Sequence, residues 1–271
     1  MSEILKLPLI IAHRGASALA PENTLAAFRR AIDDGADGLE FDVQMAKDGV
    51  PVVFHDATLR RMAQKKIRTS ELTSTELKNL DIGAWFNSKN PMRANDKFIG
   101  ETVPTLAQVF DFLTGGAGRI YIELKCRSDE IPALVEAVAA EIRSTDLLPR
   151  IVLKSFKLEA VRRAKKAVPE LCSAALFAPK LTRFLKSRNH LIEQAKKFCA
   201  DELSLPFSLA TAKFVEKARR ENLPVTIWTV DHPAWVKRAR KTGIRAIITN
   251  NPARLLEKKR ELLRFEEIEC G

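Results

Sequence analysis

Hydrophobic and polar residues alternate in blocks along nearly the whole chain. Short apolar runs rich in β-branched residues predict strands, and runs with apolar residues at helical spacing predict amphipathic helices. The predicted strands span residues 8–13, 37–43, 119–125, 150–156, 171–177, 201–205, 224–230 and 245–249. The predicted helices span residues 22–34, 105–113, 130–144, 157–167, 183–198, 209–221 and 232–241, with a last helix from about residue 252.

The regular alternation of strands and helices indicates parallel strands, because two parallel neighbours need a long crossover connection that is usually a helix. Eight strands, each followed by a helix, predict a (β/α)₈ TIM barrel, and we interpret residues 1–271 as a single domain. An open doubly wound sheet is the alternative. The chain lacks the G-x-G-x-x-G and Walker A sequences typical of that fold.

One region, residues 44–104, does not fit a simple strand–helix unit. A turn at Asp48-Gly49 leads into a short strand ending at His55, and a polar, irregular stretch follows at approximately residues 57–104. Within it, Thr73 and Glu76 have the spacing of a capping box. Because a long insertion after a barrel strand lies at the C-terminal mouth, we predict a small inserted subdomain beside the active site.

Candidate chemistry lies at the ends of the predicted strands, which converge on one face of a parallel barrel. Side chains alternate between the two faces of a strand, so Glu40 and Asp42 share the inner face, as Glu123 and Lys125 do. Their apolar neighbours face the helices. The full candidate set is His13, Arg14, Glu40, Asp42, His55, Glu123, Lys125 and Trp228.

The three acidic residues Glu40, Asp42 and Glu123 predict a metal site. Carboxylates in apolar strands are costly unless they are paired, and a hard divalent cation would resolve that cost. Oxygen ligands without Cys or His favour Mg²⁺ or Ca²⁺. A buried ionic cluster with Arg14 and Lys125 is an equally good interpretation of Glu40 and Asp42 alone.

The remaining candidates complete a set that suits cleavage of a phosphodiester. His13 and His55 can share general acid and base roles near neutral pH. Arg14 and Lys125 can hold the same phosphate, and a divalent ion can polarise a phosphoryl oxygen. Taken alone, His13 is more often a structural histidine, and Trp228 is first of all a packing residue.

Net charge and cysteine spacing limit the binding partners and the compartment that we expect. The net charge is +11, but the basic residues are spread over the polar faces of predicted helices, so we expect no nucleic-acid binding and at most weak contact with an anionic membrane surface. The four cysteines have neither C-x-x-C spacing nor nearby histidines, which favours free thiols in a reducing compartment. With no long apolar run, we expect a cytoplasmic protein. The oligomeric state cannot be read from the sequence.

At these residues the sequence resembles the glycerophosphodiester phosphodiesterase family. The similar segments are HRGASALAPENTLAAF, GADGLEFDVQMAKDGVPVVFHDATLRR, WF followed by GETVPTLAQVF, IYIELK, IVLKSF, VTIWTVD and GIRAIITNNP. The resemblance implies a TIM barrel with an insertion after the second strand. It also implies metal ligation by Glu40, Asp42 and Glu123, acid/base chemistry by His13 and His55, and phosphate binding by Arg14 and Lys125.

The same resemblance assigns supporting roles and exposes departures. It implies that Glu22 and Asn23 organise the site and that Trp228 forms a wall for the glycerol or alcohol. The family often has Thr where this chain has Ala46 and Met62, and it often ends the last strand with Thr-Asp where this chain has Thr249-Asn250. We interpret Asn250 as a helix cap.

The resulting expectation is a phosphoric diester hydrolase that releases sn-glycerol 3-phosphate and an alcohol from glycerophosphodiesters, using Mg²⁺ or Ca²⁺. Lysophospholipase D-type cleavage of lysophospholipids is the alternative within enzymes. A catalytically silent barrel that binds an anion or a membrane is a third hypothesis, and the complete set of histidines, carboxylates and cations argues against it.

Overall fold

Nine strands form one sheet in the computed structural model, which describes residues 6–116, 118–178 and 189–270. Eight of them are parallel, and β1 pairs with both β2 and β9, so the sheet closes into a barrel. The short β3 is antiparallel to β2. The strands are β1 Leu9–His13, β2 Gly38–Met45, β3 Pro51–Val53, β4 Arg119–Leu124, β5 Ile151–Ser155, β6 Cys172–Leu176, β7 Glu202–Pro206, β8 Val225–Trp228 and β9 Ala246–Thr249. The predicted TIM-barrel fold is confirmed.

Helices follow the barrel strands and surround the sheet. They are α1 Leu25–Asp33, α2 Arg60–Ala63, α3 Ser74–Lys78, α4 Ala84–Lys89, α5 Leu106–Leu113, α6 Ile131–Arg143, α7 Leu158–Ala167, α8 Asn189–Lys197, α9 Ala212–Arg220, α10 Ala234–Thr242 and α11 Pro252–Cys270. Residues 183–188 of the predicted fifth helix lie outside the described residues. Among the helices described, none combines the length and apolarity needed to cross a bilayer.

Side-chain alternation along β2 and β4 separates the core from the barrel interior. Leu39, Phe41 and Val43 of β2 point outward and pack in a large apolar cluster with residues of α1, α5 and α6. Glu40 and Asp42 are fully buried on the opposite face. The period of two therefore fixes which residues of these strands build the core and which face the interior.

The segment after β3 forms a small layer of short helices with its own apolar cluster, which includes Leu59, Met62, Leu77 and Ile82. β3 ends at Val53, so His55 follows the strand rather than ending it. The predicted capping box starts α3: the Thr73 side chain accepts from the backbone N–H of Glu76, and the Glu76 carboxylate accepts from that of Thr73. This layer covers part of the C-terminal mouth.

Candidate active site

Strand register brings the acidic and basic residues into one belt inside the barrel. His13 of β1 lies opposite Glu40 of β2. Asp42 lies opposite Glu123 of β4, and Glu123 lies opposite Lys154 of β5. Residues that are far apart in sequence therefore become neighbours at the C-terminal ends of four adjacent strands.

The carboxylates of Glu40, Asp42 and Glu123 form a compact cluster in which one oxygen from each lies within 4.8 Å of the others. Two ammonium groups contact this cluster: Lys154 Nζ lies 2.7 Å from Glu40 Oε1, and Lys125 Nζ lies 3.3 Å from Asp42 Oδ1 and 2.6 Å from Glu123 Oε1. Three converging carboxylates, which are hard oxygen ligands, fit a divalent cation.

The pKa values show how the charges of this cluster are balanced. Burial alone would raise the pKa of Glu40, but the charges of Lys154 and His13 outweigh burial and lower that pKa. Burial likewise opposes ionisation of Asp42, whose pKa is lowered by Arg14 and Lys125. The pKa of Glu123 is raised, by burial first and then by the charge of Asp42. Neighbouring cations thus outweigh burial at Glu40 and Asp42, whereas at Glu123 burial and the charge of Asp42 prevail.

A tight turn after β1 places Arg14 over the carboxylates. Arg14 adopts φ 55°, and its Nε lies 3.0 Å from Asp42 Oδ2 while Nη1 donates to Glu22 at 2.7 Å. The next residue, Gly15, has φ +79°, and a Cβ there would lie 2.6–2.7 Å from atoms of Ala27. Only glycine fits this close approach to α1. The turn therefore presents the guanidinium at the mouth of the barrel.

The loop before α1 organises the same carboxylate. Asn23 is buried and adopts φ 58°, and its amide nitrogen donates to Asp42 Oδ2 at 3.0 Å. Glu22 pairs with Arg14, and its two oxygens also accept hydrogen bonds from Arg61 at 2.7 and 2.9 Å. These contacts match the organising role that the sequence resemblance implies for Glu22 and Asn23.

Both histidines are held through Nδ1. His13 Nδ1 lies 2.7 Å from Asn250 Oδ1, and His55 Nδ1 lies 2.7 Å from Asp56 Oδ1. Because both partners are oxygen acceptors, we assign the proton to Nδ1 in each ring, which leaves Nε2 as the free nitrogen. His13 Nε2 lies 3.9 Å from Glu40 Oε2.

A cavity of about 220 Å³ brings the candidate residues together. Trp228 and Phe156 form one wall, with their rings edge to face at a centroid distance of 5.8 Å. Within the described structure, the buried indole Nε1 of Trp228 has no hydrogen-bond acceptor. The cavity is lined by His13, Arg14, Glu40, His55, Glu123, Lys125, Lys154, Phe156, Trp228 and Thr229. Seven of the eight predicted residues thus line the cavity. The eighth, Asp42, forms ion pairs with two of the lining residues, Arg14 and Lys125.

Comparisons with known proteins identify the family of the chain. The sequence profile of the glycerophosphoryl diester phosphodiesterase family matches residues 13–254. The chain belongs to this family. A glycerophosphodiester phosphodiesterase of Caldanaerobacter subterraneus is 33% identical over 251 residues, which cover 92% of this chain and 96% of that protein.

Solved structures of the family share the fold. A phosphodiesterase of Oleispira antarctica in complex with the product sn-glycerol-3-phosphate matches with a TM-score of 0.81 at 25% identity, covering 93% of this chain and 96% of that one. A putative glycerophosphoryl diester phosphodiesterase of Silicibacter pomeroyi matches with a TM-score of 0.83 at 29% identity, covering 94% of each chain.

Asn250, which stands where the family often has Asp, has a different role from the one predicted. The interpretation of Asn250 as a helix cap is wrong: its Nδ2 donates to Asp231 at 2.9 Å, which turns its Oδ1 toward His13 and Ser17. The next residue, Asn251, accepts from the backbone N–H of Arg254 at the start of α11. Asn250 is therefore a positioning residue for His13 in this family member.

We expect Asn250→Ala to lower kcat by about 10-fold with little change in KM, because His13 loses the acceptor that orients its ring. Asn250→Asp keeps an acceptor for His13 but sets a second carboxylate against Asp231, which accepts from Asn250 Nδ2 in the wild type, so it should recover only part of the loss. The matched control is Asn251→Ala, which removes a contact to α11 and should leave kcat unchanged. Steady-state kinetics of the three variants check this, and wild-type kcat in Asn250→Ala would contradict it.

Three further site residues were missed by sequence reasoning. Lys154 is almost fully buried, and its Nζ lies 2.7 Å from Glu40 Oε1 and 3.9 Å from Glu123 Oε2. Asp56 holds His55, and Arg61 holds Asp56 Oδ2 at 2.6 Å as well as Glu22. The motif HDATLRR contains the latter two, but their roles depend on how the loop folds back over the mouth.

Proposed function

We propose that this protein hydrolyses glycerophosphodiesters to sn-glycerol 3-phosphate and an alcohol, in a metal-dependent reaction that uses two histidines. The observation that carries the proposal is the belt of three converging buried carboxylates, beside two histidines and the cations Arg14 and Lys125, in a member of this family. The Oleispira antarctica relative, whose structure contains sn-glycerol-3-phosphate, supports the assignment of the product.

In this proposal Glu40, Asp42 and Glu123 hold the divalent cation, and the all-oxygen set suits Mg²⁺ or Ca²⁺. When bound, the cation would act as a Lewis acid on a phosphoryl oxygen. Lys154 stays against Glu40 and balances part of the charge of the carboxylates, while Asn23 fixes the position of Asp42.

The substrate phosphate would lie between Arg14 and Lys125. Both groups are cationic: burial opposes their charge, but Asp42 and its neighbours outweigh that effect and raise both pKa values. A guanidinium presents a fork and an ammonium a point charge, so together they can hold two of the phosphate oxygens. Their attachment to Asp42 fixes the phosphate relative to the carboxylates.

The histidines would supply the proton transfers. One free Nε2 takes the proton of the nucleophile, and the other, protonated, donates a proton to the leaving alkoxide. The nucleophile is water or the substrate's own 2-hydroxyl, and both routes use the same pair of groups. Asn250 and Asp56 keep the two rings oriented during these transfers.

Cleavage of lysophospholipids is the second candidate, and one feature of the mouth favours it. Four large hydrophobic side chains are exposed in segments that follow the C-terminal ends of barrel strands: Met92, Ile99, Phe156 and Phe207. Exposed apolar side chains near an active site are typical of proteins that contact lipid or another protein. Together with the net charge of +11, they would suit weak contact with an anionic membrane.

A substrate panel separates the two candidates. We expect release of sn-glycerol 3-phosphate from glycerophosphocholine and glycerophosphoethanolamine, with kcat/KM well above that for long-chain lysophosphatidylcholine. The released products are measured by an assay for glycerol 3-phosphate and one for choline. A strong preference for the lysolipid would favour the second candidate, and inactivity on the whole panel would contradict both.

A further inference from the structure

A second cleft adjoins the catalytic cavity at His55 and Lys125, which line both. Its volume is about 420 Å³, nearly twice that of the catalytic cavity. The cleft lies between the layer of short helices after β3 and the loop that joins β4 to α6. Its lining includes Gln44, Lys47, His55, Arg68, Lys125 and Arg127.

The walls of this cleft are tied together by hydrogen bonds. The Gln44 side chain donates to the backbone oxygens of Phe54 and Asp56 at 2.8 and 2.9 Å, on either side of His55. The backbone N–H of Lys47 donates to the Leu72 oxygen at 2.8 Å. Side-chain and backbone hydrogen bonds between β2 and the inserted segment therefore fix the walls of the cleft relative to each other.

The polar lining of this cleft is mainly basic. Positive charge comes from Lys47, Arg68, Lys125 and Arg127, and among the residues that the structure describes Glu130 is the one carboxylate in the lining. Lys125 forms ion pairs with Asp42 and Glu123. Arg127 forms ion pairs with Asp129 and Glu130.

Arg68 and Lys47 are the cations of this cleft that remain unmatched. In the described part of the chain, neither side chain forms an ion pair with a carboxylate within 4.0 Å. Both side chains are exposed. The pKa of the Glu76 carboxyl is lowered first by hydrogen bonds from Thr73 and then by the charge of Lys47, while the Glu71 carboxylate accepts from the backbone N–H of Arg68. Arg68 differs from Lys47 in offering a planar fork of donors. A free guanidinium on a cleft is a ready site for a phosphate or a carboxylate.

The two cavities suit the two halves of a phosphodiester. The smaller one is bounded by the Trp228 and Phe156 rings and has room for a glycerol, with the unpartnered indole N–H as a donor. The larger cleft shares His55 and Lys125 with it and is also lined by Arg68 and Arg127. A phosphate held at Lys125 would have one substituent on each side.

We propose that this second cleft receives the alcohol half of the substrate and selects alcohols that carry an acidic group, either a second phosphate or a carboxylate, with Arg68 as the main specificity-determining residue. The inference rests on the proposed diesterase function. Opposite charge across a binding site raises kcat/KM for the matching ligand and disfavours a cationic one.

Three substrates with the same glycerophosphate half test this selection: glycerophosphoglycerol, its form phosphorylated on the terminal hydroxyl, and glycerophosphocholine. We expect kcat/KM to be highest for the phosphorylated diester and lowest for the choline diester. Arg68→Glu should lower the ratio of the phosphorylated to the unphosphorylated glycerol substrate by about 10-fold or more, and Lys47→Glu should lower it less. The matched control is Lys166→Glu, an equal change of charge on the exposed end of α7, which should leave the ratio unchanged.

The outcomes distinguish this inference from the proposed function. Hydrolysis of all three substrates with similar kcat/KM, or a ratio that is the same in Arg68→Glu and the wild type, would overturn the selection while leaving the diesterase activity in place. A fall of the ratio in Lys166→Glu as large as in Arg68→Glu would show a general effect of net charge and would also overturn it. Hydrolysis of none of the three would overturn the proposed function, and this inference with it.

Discussion

His13→Ala is expected to lower kcat for glycerophosphodiester hydrolysis by about 10²–10⁴-fold, the range typical for loss of a general acid or base. The ring lies at the end of β1 with Nδ1 on Asn250 and Nε2 facing the carboxylate belt, 3.9 Å from Glu40. Alanine keeps the strand but removes the group that transfers a proton. The loss should therefore appear in kcat, with the protein still folded and KM changed much less.

The control for this variant is His190→Ala, because His190 lies in α8, is half-buried and lines neither the catalytic cavity nor the second cleft. It should retain wild-type kcat. Circular dichroism and thermal unfolding of both variants would show that the barrel is intact. Wild-type activity in His13→Ala would rule out the proposed role of this histidine.

Lys154→Met should destabilise the metal-free protein by about 3–5 kcal/mol, the usual cost of leaving one partner of a buried ion pair uncompensated. The Lys154 side chain is 2% exposed, and its ammonium is the closest cation to the fully buried Glu40 carboxylate. Methionine fills nearly the same volume without the charge. The free energy of unfolding in chelator, measured by urea denaturation, should fall by that amount.

The same variant should respond to divalent cations more strongly than the wild type, because Glu40 has lost its nearest ammonium and a cation in the triad would oppose its charge instead. We expect added Mg²⁺ or Ca²⁺ to restore a larger share of stability in Lys154→Met than it adds to the wild type. The matched control is Lys157→Met. Lys157 is exposed and directly precedes α7, and its ammonium donates only to the Ser128 hydroxyl among the contacts described, so this change should alter stability little. Unchanged stability of Lys154→Met in chelator would contradict the charge balance described above.

Much of the fold and the centre of the site could be predicted from local pattern. The alternation of strands and helices predicts the barrel because each unit must bury an apolar face, and strand bounds agree with the structure within a few residues. Glu40 and Asp42 could be found because two acids at a spacing of two in an apolar strand share one face. The same argument linked Glu123 with Lys125.

Residues that act through register or distant contacts could not be found in this way. Lys154 lies in the apolar run IVLKSF and becomes a neighbour of Glu40 and Glu123 only through the pairing of β4 with β5. Asn250 meets His13 across 237 residues of sequence because β1 and β9 close the barrel. A polar residue next to a helix start reads as a cap, and nothing local distinguishes it from a group that orients a histidine.

The most direct test of the account measures sn-glycerol 3-phosphate released from glycerophosphocholine by protein stripped of metal with EDTA, before and after dialysis against Mg²⁺ or Ca²⁺. We expect the stripped protein to be inactive and one of the two ions to restore its activity, with no restoration in Asp42→Asn. Full activity after exhaustive chelation would contradict the central claim, that Glu40, Asp42 and Glu123 hold a cation required for hydrolysis.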